Sequence, residues 1–393
     1  MNTINVSHLN IPTPFYIVYE DRLRRNLSLI KEVEKRAGVK IIMALKANAL
    51  WKTFPIISEY ISSSTASSLN EMRLSLEYLG KDVHTYCPVY TEESFSEFLI
   101  GSSHITFNSL SQFNRFYPVV KDFNDSLEKM GKNKVKVSCG LRVNPLCSVI
   151  ETDLYNPCLP GSRFGVQAKD LPDNLPEGFE GFHFHALCES SSFDLEKVLI
   201  ALDEQFGKWL PHLKWLNMGG GHLMTRKDYD IDHLVGLLLD FKRKYPNLEL
   251  IMEPGSAFTW QTGDLITKVL DVVENSGVNT AIIDASFACH MPDCLEMPYR
   301  PNIEEAVPDS SSDFRYRLGG NSCLSGDFVD GWNFPSPLKP GDVLTLKDMN
   351  HYTTVKTHMF NGIQHPSIWL KPLNGEPVKL REFTYEDYKS RMD

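Results

Sequence analysis

The sequence predicts an α/β chain built as a (β/α)₈ TIM-type barrel with a second, C-terminal all-β domain. Three observations lead there. Eight short apolar segments follow Lys40 in series, and most are separated by amphipathic stretches of helical length. Past roughly residue 256 the rhythm changes to short strand-like runs divided by Gly, Pro and Asn turns. An early G-x-G-x-x-G, expected of a nucleotide-binding open sheet, is absent.

In order, the expected barrel strands are 41–45, 62–68, 83–89, 105–108, 135–143, 179–187, 213–218 and 248–252. Helical periodicity fills the gaps over 68–79, 193–202 and 231–245. The 62–68 segment is too polar for a strand by propensity, and its place in the rhythm puts it in the series. The interval 145–176 is rich in Pro, Gly and Asn and reads as a βα excursion on the active face. These elements make residues 21–256 the barrel and 257–393 the β-domain. Within the latter, 265–274, 280–284, 315–318, 343–347, 353–360 and 367–371 are expected strands, and 303–315 is polar and loop-like.

Composition narrows the function. Fifty acidic against forty basic residues give a net charge of −10, with no basic block, which argues against nucleic acid or an anionic membrane as partner. A small cationic substrate remains compatible. The N-terminus lacks a signal-peptide pattern, and no run reaches the ~20 apolar residues of a membrane span. Eight cysteines without a C-x-x-C pair read as free thiols of a cytoplasmic protein.

A TIM barrel carries its chemistry at the C-terminal ends of its strands. There the sequence sets Lys46, Arg142, His183 and His185, Gly219-Gly220-Gly221, and Glu253-Pro254-Gly255. Each has an ordinary structural reading. Lys46 could cover the strand end with its stem and send its ammonium to water, or it could offer an amine to a carbonyl compound. The glycines could be a loose turn or a row of N–H groups for a phosphate. Glu253 could be a turn acid or the partner of a pyridine nitrogen. Arg142 is a carboxylate or phosphate clamp, or else an ion-pair partner at the rim.

His183 and His185, two apart on one strand, share a face. A metal pair is the competing reading, with Glu253, Cys188 and Glu189 as further ligands. A lysine and three glycines have no natural place in a metal site. Taken together, the set describes pyridoxal 5′-phosphate and no metal. The second domain adds the loop Gly320-Asn321-Ser322-Cys323-Leu324-Ser325-Gly326-Asp327, whose thiol is either a small buried hydrophobe or a reactive group. Tyr352, expected to begin a strand, is either packing or a phosphate donor.

These residues give the chain its resemblance to the fold type III pyridoxal phosphate decarboxylases, the alanine racemase-like group of ornithine, arginine and diaminopimelate decarboxylases. It looks most like the branch acting on carboxynorspermidine and carboxyspermidine in polyamine biosynthesis. The matching stretches are Thr13-Pro14-Phe15-Tyr16, Ala44-Leu45-Lys46-Ala47, Ser162-Arg163-Phe164-Gly165, Phe182-His183-Phe184-His185, the glycine triplet, Glu253-Pro254-Gly255, Ser322-Cys323 to Gly326-Asp327, and Tyr352 with Phe360-Asn361-Gly362.

The resemblance implies that Lys46 is the Schiff-base lysine, that His185 stacks on the ring and that Glu253 pairs with its nitrogen. Gly219, Gly220, Gly221 and Tyr352 would hold the phosphate, and Arg142 would lie near the cofactor's edge. Cys323 would come from the partner subunit of a homodimer and protonate the product carbon. It also assigns the first strand, within 10–20, to the β-domain. Glu189, Asp284, His290, Glu296 and Asp327 are candidates for binding the polyamine tail.

Ser256 after Glu-Pro-Gly, Leu324 after Cys323, and Cys188 where a serine or glycine is common depart from the simpler amino acid decarboxylases. Decarboxylases of diaminopimelate, ornithine or arginine are the alternative, followed by an amino acid racemase. A pyridoxal phosphate carrier protein is the non-enzyme alternative.

Overall fold

A computed structural model describes residues 10–129, 136–150 and 152–393. In chain order the strands are β1 (Phe15–Tyr19), β2 (Lys40–Ile41), β3 (Met43–Ala44), β4 (Ser63–Ala66), β5 (Asp82–Tyr86), β6 (His104–Phe107) and β7 (Ser138–Arg142). Then come β8 (Phe179–His183), β9 (Trp215–Asn217), β10 (Glu249–Met252), β11 (Gly263–Asn275) and β12 (Val278–Ile283). The last are β13 (Phe314–Gly319), β14 (Phe328–Phe334), β15 (Val343–Leu346), β16 (Ser367–Lys371) and β17 (Val378–Arg381).

The chain divides into two compact units. One is Arg24–Phe258, and the other joins Thr259–Asp393 to the N-terminal residues through Leu23. The division falls inside the helix Glu20–Ala37.

Arg24–Phe258 is the barrel. Its strands are parallel and run in the order β2-β10-β9-β8-β7-β6-β5-β4-β3. β2 and β3 are two halves of one stretch, interrupted at Ile42, whose N–H donates to the Met252 carbonyl at 2.9 Å. The first half pairs with β10 and the second with β4, so this stretch closes the ring. The 41–45 expectation therefore holds as two short strands. The polar 62–68 segment does supply β4, because Ser64 and Thr65 bury their hydroxyls against the adjoining helix and sheet rather than in water. Val135 of the expected fifth strand lies outside the described residues.

The crossover helices begin where the sequence caps them. Ser68 Oγ accepts from Glu71 N–H ahead of Leu69–Tyr78, Ser191 and Asp194 form a capping box ahead of Ser192–Phe206, and Asp230 accepts from His233 N–H ahead of Ile231–Lys244. Each such cap stabilises its helix by about 1 kcal/mol. Among its described residues the interval 145–176 contains two short 3₁₀ turns, Asp153–Tyr155 and Ala168–Asp170, and a β-bridge from Val166 to Val143.

The second unit is built on a mixed sheet of order β14-β13-β12-β11-β1-β16-β17, with β15 also paired to β11. β1 lies inside this sheet, antiparallel to β11 and parallel to β16. All five residues of Phe-Tyr-Ile-Val-Tyr are buried, and Phe15, Ile17, Tyr19 and Ile266 form a core to which Val343 and Trp369 add.

Four sequence expectations fail in this unit. Residues 353–360 form turns and the start of a 3₁₀ turn at Phe360–Gly362 rather than a strand. Left-handed backbone at Tyr352 (φ 50°) and Asn361 (φ 57°) brackets the segment and outweighs its β-branched threonines. Tyr352 accordingly begins no strand. β14 was missed because Asp330-Gly331 splits its apolar pattern, and β17 because its alternating charges resemble a loop. Beside its sheet the domain carries two short helices, Phe287–His290 and Asp293–Glu296.

Candidate active site

The C-terminal ends of the barrel strands bring together most of the residues singled out above. Ala44 N–H donates to the Pro254 carbonyl at 3.4 Å and Leu45 N–H to the Thr65 carbonyl at 3.2 Å, placing the end of β3 beside the Glu253-Pro254 turn. Lys46 follows in a tight turn, closed by Ala47 N–H to Ala44 and Asn48 N–H to Leu45, each at 3.1 Å. The Lys46 residue is exposed, and the surrounding protein atoms desolvate its amine. That burial lowers its pKa; Glu253 opposes the shift, and Arg142 adds to it. A larger neutral fraction makes the amine a better nucleophile.

Glu253 ends the path of β10, and its N–H donates to the Gly219 carbonyl at 2.8 Å. Its carboxylate is nearly buried, with Oε1 accepting from Asn217 Nδ2 at 2.7 Å and Oε2 3.4 Å from His183 Nε2. Burial on its own would raise the Glu253 pKa, but the His183 and Asn217 contacts outweigh it and hold the carboxyl below the ordinary range. His183 itself is buried and stacks on Tyr86 at 5.3 Å. Burial lowers its pKa despite the carboxylate. It is thus a packed neutral partner of the acid rather than a cation.

His185 is oriented by the glycine loop, because its Nδ1 accepts from Gly220 N–H at 3.1 Å. That bond leaves the ring proton on Nε2. Burial, followed by Lys46 and Arg142, depresses its pKa well below the usual histidine value, so the imidazole is neutral. Gly219 (φ 64°) and Gly221 (φ 90°) lie in left-handed backbone. A Cβ at Gly219 would run into the Phe184 carbonyl, and one at Gly221 into the Leu187 carbonyl. Only glycine permits this close approach; Gly219 and Gly220 are buried and Gly221 half-buried, and the Gly219 and Gly220 N–H groups are given to Asn217 and His185.

Arg142, at the end of β7, is buried between the rings of Tyr86 (4.8 Å) and Phe164 (4.4 Å), and Nη2 donates to the His185 carbonyl at 3.3 Å. Among the described residues no carboxylate pairs with it, which removes the ion-pair reading. Its charge instead acts on Lys46 and His185, lowering the pKa of each.

Sequence reasoning missed Asn217. The residue is buried at the end of β9 and bridges two parts of the site, donating to Glu253 and accepting from Gly219 N–H at 2.9 Å. Its signal was a lone amide at the end of an apolar strand, two residues before the glycines. Asn217→Leu, of similar volume, strands a carboxylate oxygen and a backbone N–H. It is expected to cost about 1–3 kcal/mol and to weaken cofactor binding about tenfold or more. Thermal melts and cofactor titration check this; an unchanged melt with unchanged affinity would contradict the bridge.

Among the described residues, the one metal-compatible grouping is Asp82, His84 and His104, and it does not involve His183 or His185. The Lys40 ammonium already sits 2.7 Å from Asp82 Oδ2 and 3.1 Å from His84 Nε2. The His84 and His104 rings stack nearly parallel at 3.8 Å, so their in-plane lone pairs do not converge on one ion.

The proposed tail partners are largely committed elsewhere. Asp284 accepts from Thr13 Oγ1 (2.6 Å), Thr267 Oγ1 (2.6 Å) and Lys268 N–H (2.9 Å). Asp327 is buried and accepts from Ser286 Oγ, Ala288 N–H, Ser322 N–H and Ser322 Oγ. Glu296 pairs with Lys356. His290 is fully buried, and its Nδ1 accepts from Ser286 N–H at 3.0 Å. All four thus have partners within the chain. Glu189 alone of the set lies in the barrel unit, on left-handed backbone (φ 48°), where its carbonyl accepts from Arg226.

Cys323 is exposed in the second unit, and all eight cysteines are free thiols. Tyr352 is half-buried in a turn of the same unit, edge-on to His351 at 6.3 Å.

The fit to pyridoxal 5′-phosphate rests on features of the barrel unit itself. The glycine cradle admits no Cβ, the buried acid is held ionised, the imidazole is neutral and fixed, and the lysine amine has a lowered pKa.

Comparisons with known proteins agree. Residues 16–350 match the family model described as "Pyridoxal-dependent decarboxylase, C-terminal sheet domain". The chain is 45% identical to the carboxyaminopropylagmatine decarboxylase of Synechocystis sp., covering 98% of this chain and 96% of the relative. It is 41% identical to the carboxynorspermidine/carboxyspermidine decarboxylase of Campylobacter jejuni, covering 97% and 98%. The crystal structure of carboxynorspermidine decarboxylase from C. jejuni, complexed with norspermidine, superimposes with a TM-score of 0.85 at 38% identity, covering 97% of this chain and 100% of the other.

Proposed function

The chain belongs to the pyridoxal-dependent decarboxylases, carboxy-lyases that work with pyridoxal 5′-phosphate, and on that premise we propose that it decarboxylates carboxynorspermidine, carboxyspermidine or both. The products are norspermidine or spermidine and CO₂, a step of polyamine biosynthesis. The observation carrying the reading is the set Lys46, His185, Gly219–Gly221 and Glu253 at the strand ends. Similarity over nearly the full chain to relatives named for carboxylated polyamines supports the substrate class.

When bound, the cofactor supplies an electron sink for the pair released as CO₂ departs. Lys46 would offer the amine that holds the cofactor covalently and exchanges with the substrate amine. Glu253, kept anionic, would keep a proton on the ring nitrogen. His185, its tautomer fixed by Gly220, would stack on the ring. Gly219, Gly220 and Gly221, with Tyr352, would hold the phosphate, and Arg142 would lie near the cofactor's edge. Cys323 of a second copy of the chain would deliver a proton to the carbon that lost CO₂. Glu189, Asp284, His290, Glu296 and Asp327 are the candidates for the cationic tail, and a net charge of −10 suits such a substrate. Eight free thiols fit a cytoplasmic setting.

A second substrate is favoured by the 45% identical relative, which is named for carboxyaminopropylagmatine. The test is a panel of carboxynorspermidine, carboxyspermidine, carboxyaminopropylagmatine, diaminopimelate, ornithine and arginine, scored by CO₂ and amine product. A carboxylated polyamine is expected to exceed the simple amino acids by about 10² or more in kcat/KM. Preference for diaminopimelate, ornithine or arginine would overturn the proposal. Carboxynorspermidine and carboxyspermidine differ by one methylene, worth only ~1–3 kcal/mol, so both are expected to turn over.

A further inference from the structure

The loop bearing Cys323 is held from two sides by the same short helix. Asp327, at the loop's far end, reaches the start of Phe287–His290 by accepting from Ser286 Oγ at 2.8 Å and Ala288 N–H at 2.9 Å. The same carboxylate accepts from Ser322 N–H at 3.2 Å and Ser322 Oγ at 2.6 Å, tying down the residue before the thiol. The turn at 358–362 comes from the other side, with His358 N–H donating to the Cys289 carbonyl at 3.0 Å. From that turn Asn361 Oδ1 accepts the Cys323 N–H at 2.8 Å. The thiol-bearing residue is exposed, yet its own peptide is fixed by a side chain 38 positions away.

Asn361 occupies left-handed backbone (φ 57°), which asparagine, aspartate and glycine adopt far more readily than other residues. It therefore meets two requirements at once, turning the chain and presenting an oxygen to the cysteine peptide.

We propose that Asn361 is a positioning residue for the Cys323 thiol, with Asp327 as the second anchor of the loop, and that the pair decides where the product-forming proton lands. This rests on the reading of Cys323 as the proton donor. A proton delivered to the carbon that lost CO₂ gives the amine and returns the cofactor. If the proton instead reaches the cofactor's aldehyde-derived carbon, addition of water gives the substrate's aldehyde and pyridoxamine 5′-phosphate. Both routes use one proton and the same electron pair, and neither needs an added oxidant.

Two variants separate the oxygen from the backbone geometry. Asn361→Gly keeps the left-handed turn and removes the acceptor, whereas Asn361→Asp keeps both. Amide hydrogen exchange at Cys323, followed in the cofactor-free protein, is expected to accelerate about tenfold in Asn361→Gly and to stay near wild type in Asn361→Asp. With carboxynorspermidine, the fraction of turnovers ending in pyridoxamine 5′-phosphate should rise about tenfold in Asn361→Gly only. Faster exchange with an unchanged product fraction, or no change in either, would overturn the proposal. Cys323→Ser is the companion. If it leaves the product fraction at the wild-type level, the reading of Cys323 as donor fails; if it shifts the fraction and Asn361→Gly does not, only the positioning role fails.

Discussion

Lys46→Ala is expected to lower kcat/KM by about 10³-fold or more, equivalent to at least ~4 kcal/mol of barrier. The argument is geometric and electrostatic. Lys46 stands in a closed turn beside the Glu253-Pro254 segment, with burial and Arg142 lowering its pKa against the pull of Glu253. Borohydride reduction of wild type should fix the cofactor covalently to the peptide containing Lys46, and the alanine variant should release it on denaturation. Lys46→Arg restores charge without a usable nucleophile and should be as inactive as alanine. Retention of either activity or covalent label in Lys46→Ala would remove Lys46 from the chemistry.

Gly221→Ala should be the most damaging single-methyl change near the site. At φ 90° a side chain is strained, and its Cβ meets the Leu187 carbonyl, which is backbone and cannot rotate away. The Gly221 carbonyl also accepts from Ser190 N–H at 2.8 Å, so the loop cannot shift without losing that bond. A loss of about 2–3 kcal/mol in stability is expected, with cofactor affinity down about 10²-fold. Gly236→Ala is the control. It lies within the helix Ile231–Lys244 with open space at its Cβ position, and it should be neutral or stabilising by up to ~1 kcal/mol. Equal melting temperatures and equal cofactor affinity for Gly221→Ala and wild type would show that the cradle tolerates a side chain.

The barrel was legible because its signal is repeated. Any one strand is weak, as Ser63–Ala66 shows, yet the series of apolar runs and capped helices leaves few alternatives. The second unit was harder, since single residues decide its elements. Asp330-Gly331 conceals β14, and the left-handed residues Tyr352 and Asn361 turn an apparent strand into turns. At the site, charged and glycine residues announced themselves by type and position. Asn217 and Asn361 did not, because an amide carries no charge or periodicity and acts only through geometry.

The role of an acid is hard to read from sequence for the same reason. A carboxylate that accepts from four protein donors, as Asp327 does, is identical in sequence to one waiting for an ammonium. Only the donor inventory separates the two.

The placement of β1 bears on how the chain is made. Phe15–Tyr19 belongs inside a sheet whose neighbouring strands, β11 and β16, lie beyond the whole barrel in sequence. During synthesis at about 5–20 residues per second, that strand emerges early and stays unpaired while the barrel is completed. Phe-Tyr-Ile-Val-Tyr is an uncharged, β-prone run that is wholly buried in the finished sheet. Until its partners arrive, those five apolar-rich residues lack the strands that bury them in the finished sheet.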